Sequence, residues 1–363
     1  MNLFQLLTAV YARLAGLLHR QFYQRPFSPP KKAIIIQPGT VSSVMLTTPM
    51  LSQLKRRFPN TRFDWASVRA THPVIVGNQS IIKLVEIPID QRSQTIDELA
   101  FIRSLKAESY DTCFIPDYYP KLAQMAMQAK IPQRVGLWNK GRAFLFTNVV
   151  QTPSTERHQA TKNLTIAEIG QKSLQLSRTS MTFYPSDRDR KTISQRLIDE
   201  LGWDGKRPLV TMHPGSADEE SARSWPIERY VLLGNRIIRH YQAQILLVGT
   251  PSDFKTCHEI AGMIAGDVAN WSKRVSIGEI GALTEIADLF IGNDTGASHI
   301  AAAMGCQTIA IFGPTDPSVS APYAKDEELV TVLWKQSQSK RLFDWQDGVS
   351  VGDVEKAVKR ILD

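Results

Sequence analysis

Residues 287–317 read ADLFIGNDTGASHIAAAMGCQTIAIFGPTDP, and the order of apolar runs and turn residues in this stretch decides the fold. A short apolar run, Leu289-Phe290-Ile291, stops at Gly292-Asn293-Asp294-Thr295-Gly296. Small residues at helical spacing follow over 297–304, and a second apolar run over 308–312 stops at Gly313-Pro314-Thr315-Asp316-Pro317. Strand, turn, helix, strand, turn in about 30 residues is a βαβ unit. Asp294, Thr295 and Gly296 fall where the first strand hands over to the helix. A helix start there offers unpaired N–H groups and a partial positive charge of about half a unit. Gly296 lets backbone approach a ligand, Thr295 offers a hydroxyl, and His299 lies one turn further on. Such a turn suits an anionic, hydroxyl-rich ligand such as a sugar nucleotide. The plainer alternative is that Asp294 only N-caps the helix.

Working outward, residues 208–213 form a strand pattern ending in Pro214-Gly215-Ser216, a loop able to aim N–H groups and a hydroxyl at phosphate. Arg223-Ser224-Trp225-Pro226 precedes a helix over Ile227–Tyr241, and a strand over 245–248 stops at Gly249-Thr250-Pro251-Ser252-Asp253. Residues 180–340 thus read as one Rossmann-like domain, followed at 350–363 by an amphipathic helix with Val354, Val358, Ile361 and Leu362 on one face. Asp187 and Asp189 make a D-x-D, a pattern that can hold a divalent metal. Ser186 with Asp189 three residues later is the commoner capping box, ahead of a helical pattern at 192–201, so no metal is expected.

The first half repeats the rhythm. Strand patterns at 33–37, 62–68, 83–87, Thr112–Ile115 and 134–136 alternate with helical patterns at 44–58, 71–77, 96–108, 121–130 and 158–176. Alternating short apolar strands and helices imply a parallel sheet covered on both faces, placing another Rossmann-like domain at 30–175. Residues 1–29 stand apart as an amphipathic helix and a stiff linker with Pro26, Pro29 and Pro30. Leu3, Leu6, Leu7, Val10, Leu14, Leu17 and Leu18 share one face, but polar interruptions leave it short of the roughly 18 apolar residues of a membrane span. Residues 1–25 would lie on an anionic membrane surface, or pack against protein.

Composition sets the limits. The 363 residues suit two domains, and 43% hydrophobic with 21% charged residues is globular. Cys113, Cys257 and Cys306 are odd in number and lack metal-ligand spacing, which points to a reducing, cytoplasmic setting without disulfides. A formal charge of +8 favours acidic partners. Nucleotide diphosphates and anionic lipid both qualify; nucleic acid is not expected, for want of any recognition motif.

The string D-T-G-x-x-H at Asp294–His299, then A-A-x-x-G and a strand ending F-G-P-T, resembles glycosyltransferase family nine, the ADP-heptose:lipopolysaccharide heptosyltransferases. Leu46-Thr47-Thr48-Pro49, Arg134-Val135-Gly136, His213-Pro214-Gly215-Ser216 and Arg223 with Trp225-Pro226 extend the likeness over about 32–325. The resemblance implies an α/β fold of GT-B architecture, two Rossmann-like domains facing across a cleft, with donor on the C-terminal one and acceptor on the other. It implies inverting, metal-independent transfer of a heptose-like sugar from a nucleotide diphosphate to a lipid-linked or cell-surface glycan at the inner membrane face, without a cofactor. Ser216 and Arg223 would contact the diphosphate; the family usually has Lys where Arg223 stands. Asp253 would meet ribose hydroxyls or cap a helix. Thr295 and Gly296 would meet phosphate, Asp294 would orient sugar hydroxyls or its own loop, and His299 would be structural support.

One turn departs from the family. Its catalytic Asp, the general base for the acceptor hydroxyl, falls at Ser43 by counting back from Thr47-Thr48-Pro49. A serine is not a base at neutral pH, and base assistance is worth about 10²- to 10⁴-fold in rate. Asp117, just past the 112–115 strand, is the candidate replacement. The competing reading is a non-catalytic sugar-nucleotide-binding or scaffolding protein. An epimerase on the same fold would want an acidic and histidine pairing that the sequence lacks.

Overall fold

The computed structural model describes residues 26–90, 93, 95–116, 120–138, 145–153, 155–171, 179–215, 223–335 and 343–363. The chain divides into two compact units, Met1–His72 with Asn78–Thr179, and Pro73–Gly77 with Ser180–Asp363. The expected helix over residues 1–25 lies outside the described residues.

Each unit carries a six-stranded parallel sheet. In the first, β1 (Lys32–Ile36), β2 (Arg62–Ser67), β3 (Ile81–Glu86), β4 (Thr112–Ile115), β5 (Gln133–Leu137) and β6 (Asn148–Val150) lie in the order β3-β2-β1-β4-β5-β6. In the second, β7 (Leu209–His213), β8 (Gln244–Leu247), β9 (Val268–Asn270), β10 (Leu289–Asn293), β11 (Gln307–Phe312) and β12 (Val330–Trp334) lie in the order β12-β11-β10-β7-β8-β9. Both are the doubly wound Rossmann order. The strand order reverses between β1 and β4 in one sheet and between β7 and β10 in the other, and ligands of such sheets sit beyond the strand ends at that reversal.

Two cores hold these edges in place. Ile34, Ile36, Ala66 and Cys113 pack against Phe101, Ile102 and Leu105 of helix Glu98–Glu108 and against Leu122 and Met125 of helix Pro120–Gln128. Val210, Met212, Ile245, Leu289, Ile291 and Ile309 do the same with Tyr230, Leu233 and Ile237 of helix Ile227–Tyr241 and Val354 and Val358 of helix Val351–Leu362. Central strands covered on both faces explain why these segments are nearly continuous apolar runs. Each buried side chain of this size contributes about 1.5–3 kcal/mol relative to exposure.

Several boundaries differ from the sequence pattern. The single helix expected over 44–58 is two, Val41–Met45 capped by Thr40 and Thr48–Arg57. Pro49 has no N–H for the Met45 carbonyl, and the Thr48 hydroxyl donates to it instead at 2.8 Å. The helix expected over 158–176 ends at Ala167, ahead of Gly170 with φ 79°. The helix expected from 96 starts at Glu98, because Asp97 caps it by accepting from the Ala100 N–H. Strands β6, β9 and β12 and helices Phe254–Met263 and Ile277–Thr284 add elements that the pattern did not single out. The proline linker is tied down: Ser28 donates through N–H and hydroxyl to Gln133 Oε1, at 2.9 and 3.2 Å.

Candidate functional site

The reversal edge of the second sheet gathers most of the described candidates. β7 and β10 are neighbours, with Gly292 opposite His213, so the chain leaves them side by side as Pro214-Gly215 and Asp294-Thr295-Gly296. Between the two exits lies Asn293, fully buried. Its Nδ2 donates to the carbonyls of Pro214 (2.8 Å) and Gly215 (3.2 Å). Its Oδ1 accepts from the Trp225 N–H (3.1 Å) and the Tyr230 hydroxyl (3.0 Å). Gly215 also backs onto Asp253, and a Cβ there would overlap the carboxylate. This close approach requires glycine.

The ionic groups converge on the same edge. Asp294 is partly buried and accepts from the Thr315 hydroxyl at 2.9 Å, joining the turns after β10 and β11. Burial raises its pKa; the Thr315 hydrogen bond and the positive charge of Arg223 oppose that rise. Arg223, itself exposed, therefore stands close enough to act on Asp294. The capping alternative for Asp294 is corrected. The N-cap of helix Gly296–Ala303 is Thr295, extended at φ −138° and ψ 166°, with no side-chain cap bond. Asp294 is instead turned to Thr315. The Thr295 hydroxyl lies 3.4 Å from His213 Nδ1. Burial lowers the His213 pKa against the raising effect of the Asp253 charge, which favours the neutral imidazole. Asp253, 5% exposed, closes a capping box by accepting from the Thr250 N–H and hydroxyl, both at 2.7 Å. His299 is fully buried in helix Gly296–Ala303.

The corresponding edge of the first sheet is uncharged in its described part. Ser43 is half-buried in helix Val41–Met45, with its hydroxyl 3.4 Å from that of Thr40. Beneath lies a buried amide network. Gln37 Nε2 donates to Thr47 Oγ1 (3.1 Å) and its Oε1 accepts from the Gly39 N–H (2.9 Å). Asn163 Nδ2 donates to the Leu46 carbonyl (3.0 Å) and Thr47 Oγ1 (3.1 Å). The Thr47 hydroxyl donates onward to the Ser43 carbonyl at 2.8 Å.

Asp117 and Ser216 lie outside the described residues. At the D-x-D, Asp189 and Ser186 form the capping box of helix Asp187–Leu201, and Asp187 pairs with Arg190 at 3.4 Å. The three cysteines are buried and unpaired, their thiols pushed up to about 12 chiefly by burial, so none is a nucleophile at neutral pH. Among the described residues no helix is long and apolar enough to cross a membrane. Asn293, His213 and Thr315 were not singled out from the sequence as site residues. The only signal for Asn293 is its place at a strand end just before Asp294.

The profile of Glycosyltransferase family 9 (heptosyltransferase) matches residues 98–346. Lipopolysaccharide heptosyltransferase 3 of Escherichia coli is 26% identical over 298 residues, covering 78% of this chain and 83% of its own. Lipopolysaccharide heptosyltransferase 2 of Salmonella typhimurium is 20% identical over 310 residues, covering 83% and 88%. In three dimensions the chain is similar to the E. coli ADP-heptose lps heptosyltransferase II, with TM-score 0.74, 18% identity, and coverage of 91% of this chain and 98% of that one. That likeness extends to the fold with its two parallel α/β sheets, the GT-B architecture.

Proposed function

The chain belongs to glycosyltransferase family 9, and on that premise we propose that it moves a heptose-like sugar from a nucleotide-diphosphate donor to lipopolysaccharide or another cell-surface glycan. The acceptor hydroxyl displaces the nucleoside diphosphate directly at the sugar carbon, which inverts that centre. No metal ion takes part: Arg223 and the start of helix Gly296–Ala303 supply the positive charge that the leaving diphosphate needs. The Arg223 fork takes two phosphate oxygens, while the Thr295 hydroxyl, the Gly296 N–H and Ser216 take others. Asp294 orients sugar hydroxyls or its own loop. Asp253 accepts from ribose hydroxyls or acts through its hold on Thr250 and its packing on Gly215. His299 supports the helix from inside.

The observation that carries this reading is the meeting of Arg223, Asp294 and Thr295 at the β7/β10 reversal of a family 9 chain. A thermal-shift screen of nucleoside diphosphates and their sugars, run in EDTA, tests it. Stabilisation by at least one of them is expected. A strict requirement for added magnesium would return the Asp187–Asp189 pair to consideration as a metal site.

For the acceptor half, Asp117 serves as the base in place of the family carboxylate. A donor-binding protein without transferase activity is the second reading, favoured by the Ser43 hydroxyl having no carboxylate or imidazole as a hydrogen-bond partner among the described residues, only the Thr40 hydroxyl. Asp117→Asn separates the two: it lowers a measurable transfer by about 10²-fold or more in the first case, whereas in the second the wild type itself transfers nothing. Residues 1–25 bring the protein to the cytoplasmic face of an anionic membrane. Deleting them releases it from anionic liposomes with donor binding intact; loss of folding or of a dimer would make this segment structural instead.

A further inference from the structure

We propose that Asn293 is the positioning residue of the donor diphosphate site: its amide ties the Pro214–Gly215 exit, the segment carrying Arg223 and the Asp294 turn into one rigid cradle. The inference rests on the donor reading above and adds a residue to it.

A side-chain amide can donate two hydrogen bonds and accept two, and Asn293 uses all four. The two donated bonds go to one strand exit. The two accepted bonds come from Trp225, two residues after Arg223, and from Tyr230 in the helix that follows. Its own backbone is fixed independently: the carbonyl accepts from Ser298 Oγ at 2.8 Å, and the residue is in register with Ile311 of β11. Asn293 is therefore an anchored point to which both segments are fastened, and the next residue in the chain is Asp294. Tyr230 packs edge-on against Trp225, with centroids 4.9 Å apart, and Trp225 Nε1 donates to the Val349 carbonyl at 2.8 Å. On its far side Gly215 is stopped by Asp253. Neither segment can shift without breaking a buried bond.

No other side chain of this size does the same. An aspartate keeps the acceptor for Trp225 and Tyr230 but turns an oxygen toward two carbonyl oxygens. Asn293→Asp thus releases the Gly215 side alone, and Tyr230→Phe keeps the ring while removing the hydroxyl's bond to Asn293 and its longer contact, 3.5 Å, with the His213 carbonyl.

The test is calorimetry on the full chain with ADP, GDP, UDP and CDP, alongside the nucleoside of whichever binds, its weak affinity read by ligand-observed NMR. Asn293→Asp is expected to weaken the diphosphate about tenfold or more, a change of about 1.4 kcal/mol per factor of ten, and to leave the nucleoside near its wild-type affinity. Tyr230→Phe is expected to weaken the diphosphate about two- to threefold. A diphosphate-to-nucleoside ratio unchanged in Asn293→Asp overturns the proposal, because a merely structural residue lowers both affinities together. If Asn293→Asp does not fold, an unchanged ratio in Tyr230→Phe overturns it. If the wild type binds none of the four diphosphates, the donor reading fails first and this inference falls with it.

Discussion

The turn after β1 and the turn after β7 occupy the same place in two sheets of one strand order, yet they are furnished with different chemistry. At the ends of β7 and its neighbour β10 stand His213, Asp294 and the charge of Arg223, with Asp253 behind Gly215. After β1 come only hydroxyls and amides: Thr40, Ser43, Thr47 and Gln37. Both edges are braced from below by a buried amide, Asn293 in one and Gln37 with Asn163 in the other. Scaffold and bracing are thus duplicated, and the difference lies in the side chains that the bracing holds. A guanidinium beside the start of a helix suits a diphosphate. A turn of hydroxyls and amides, as after β1, can seat a sugar but cannot by itself remove a proton.

The largest effect expected from this contrast is on turnover. If Asp117 supplies the missing charge on the first sheet's edge, Asp117→Asn lowers transfer by about 10²-fold or more with little change in donor affinity. Undiminished transfer would break the replacement-base idea. In the absence of any base, the wild type binds donor without transferring it, and Ser43→Asp restores measurable transfer.

Removing the brace under the neutral edge gives a smaller, separable effect. Asn163→Ala strands the Leu46 carbonyl and one bond to Thr47, and is expected to cost about 1–3 kcal/mol in denaturant unfolding while donor affinity stays at the wild-type level. Equal losses in stability and donor affinity would mean that the two edges are not independent.

The smallest effect is a pH dependence. The folded-state pKa of Asp294 is raised, so its contribution to stability is full below the ordinary aspartate value of about 3.9 and is lost as pH rises through the raised value. Asp294→Asn removes that loss. Its melting temperature should exceed the wild type's at pH 7, with the gap closing as pH falls to about 4. A gap that stays constant with pH would mean that burial of the carboxylate is not what shifts it.

Much of this was legible in the amino-acid sequence, for local reasons. Buried central strands such as β1 and β10 announce themselves as apolar runs that stop at glycine or proline. The break at Thr48 was written in Pro49 but outweighed by the apolar spacing of Val44, Met45 and Leu51 around it. The edge strands β6 and β9 have three residues each, too few for a period to show, and the exposed flanks of β12 dilute its pattern. The G-N-D-T-G turn was recognisable as a ligand-facing handover, but the role of Asn293 was not. Its partners stand 63 to 79 residues away in sequence, and only the pairing of β7 with β10 brings them within reach.

The most direct test of the central claim, that the β7/β10 edge is the diphosphate site, is calorimetric titration of a nucleoside diphosphate into wild type and Arg223→Ala in EDTA. The wild type should bind saturably without metal, and the variant should lose about 1.5–3 kcal/mol, the scale of a charge-assisted hydrogen bond. Equal affinity of the two proteins would place the diphosphate elsewhere and contradict that claim.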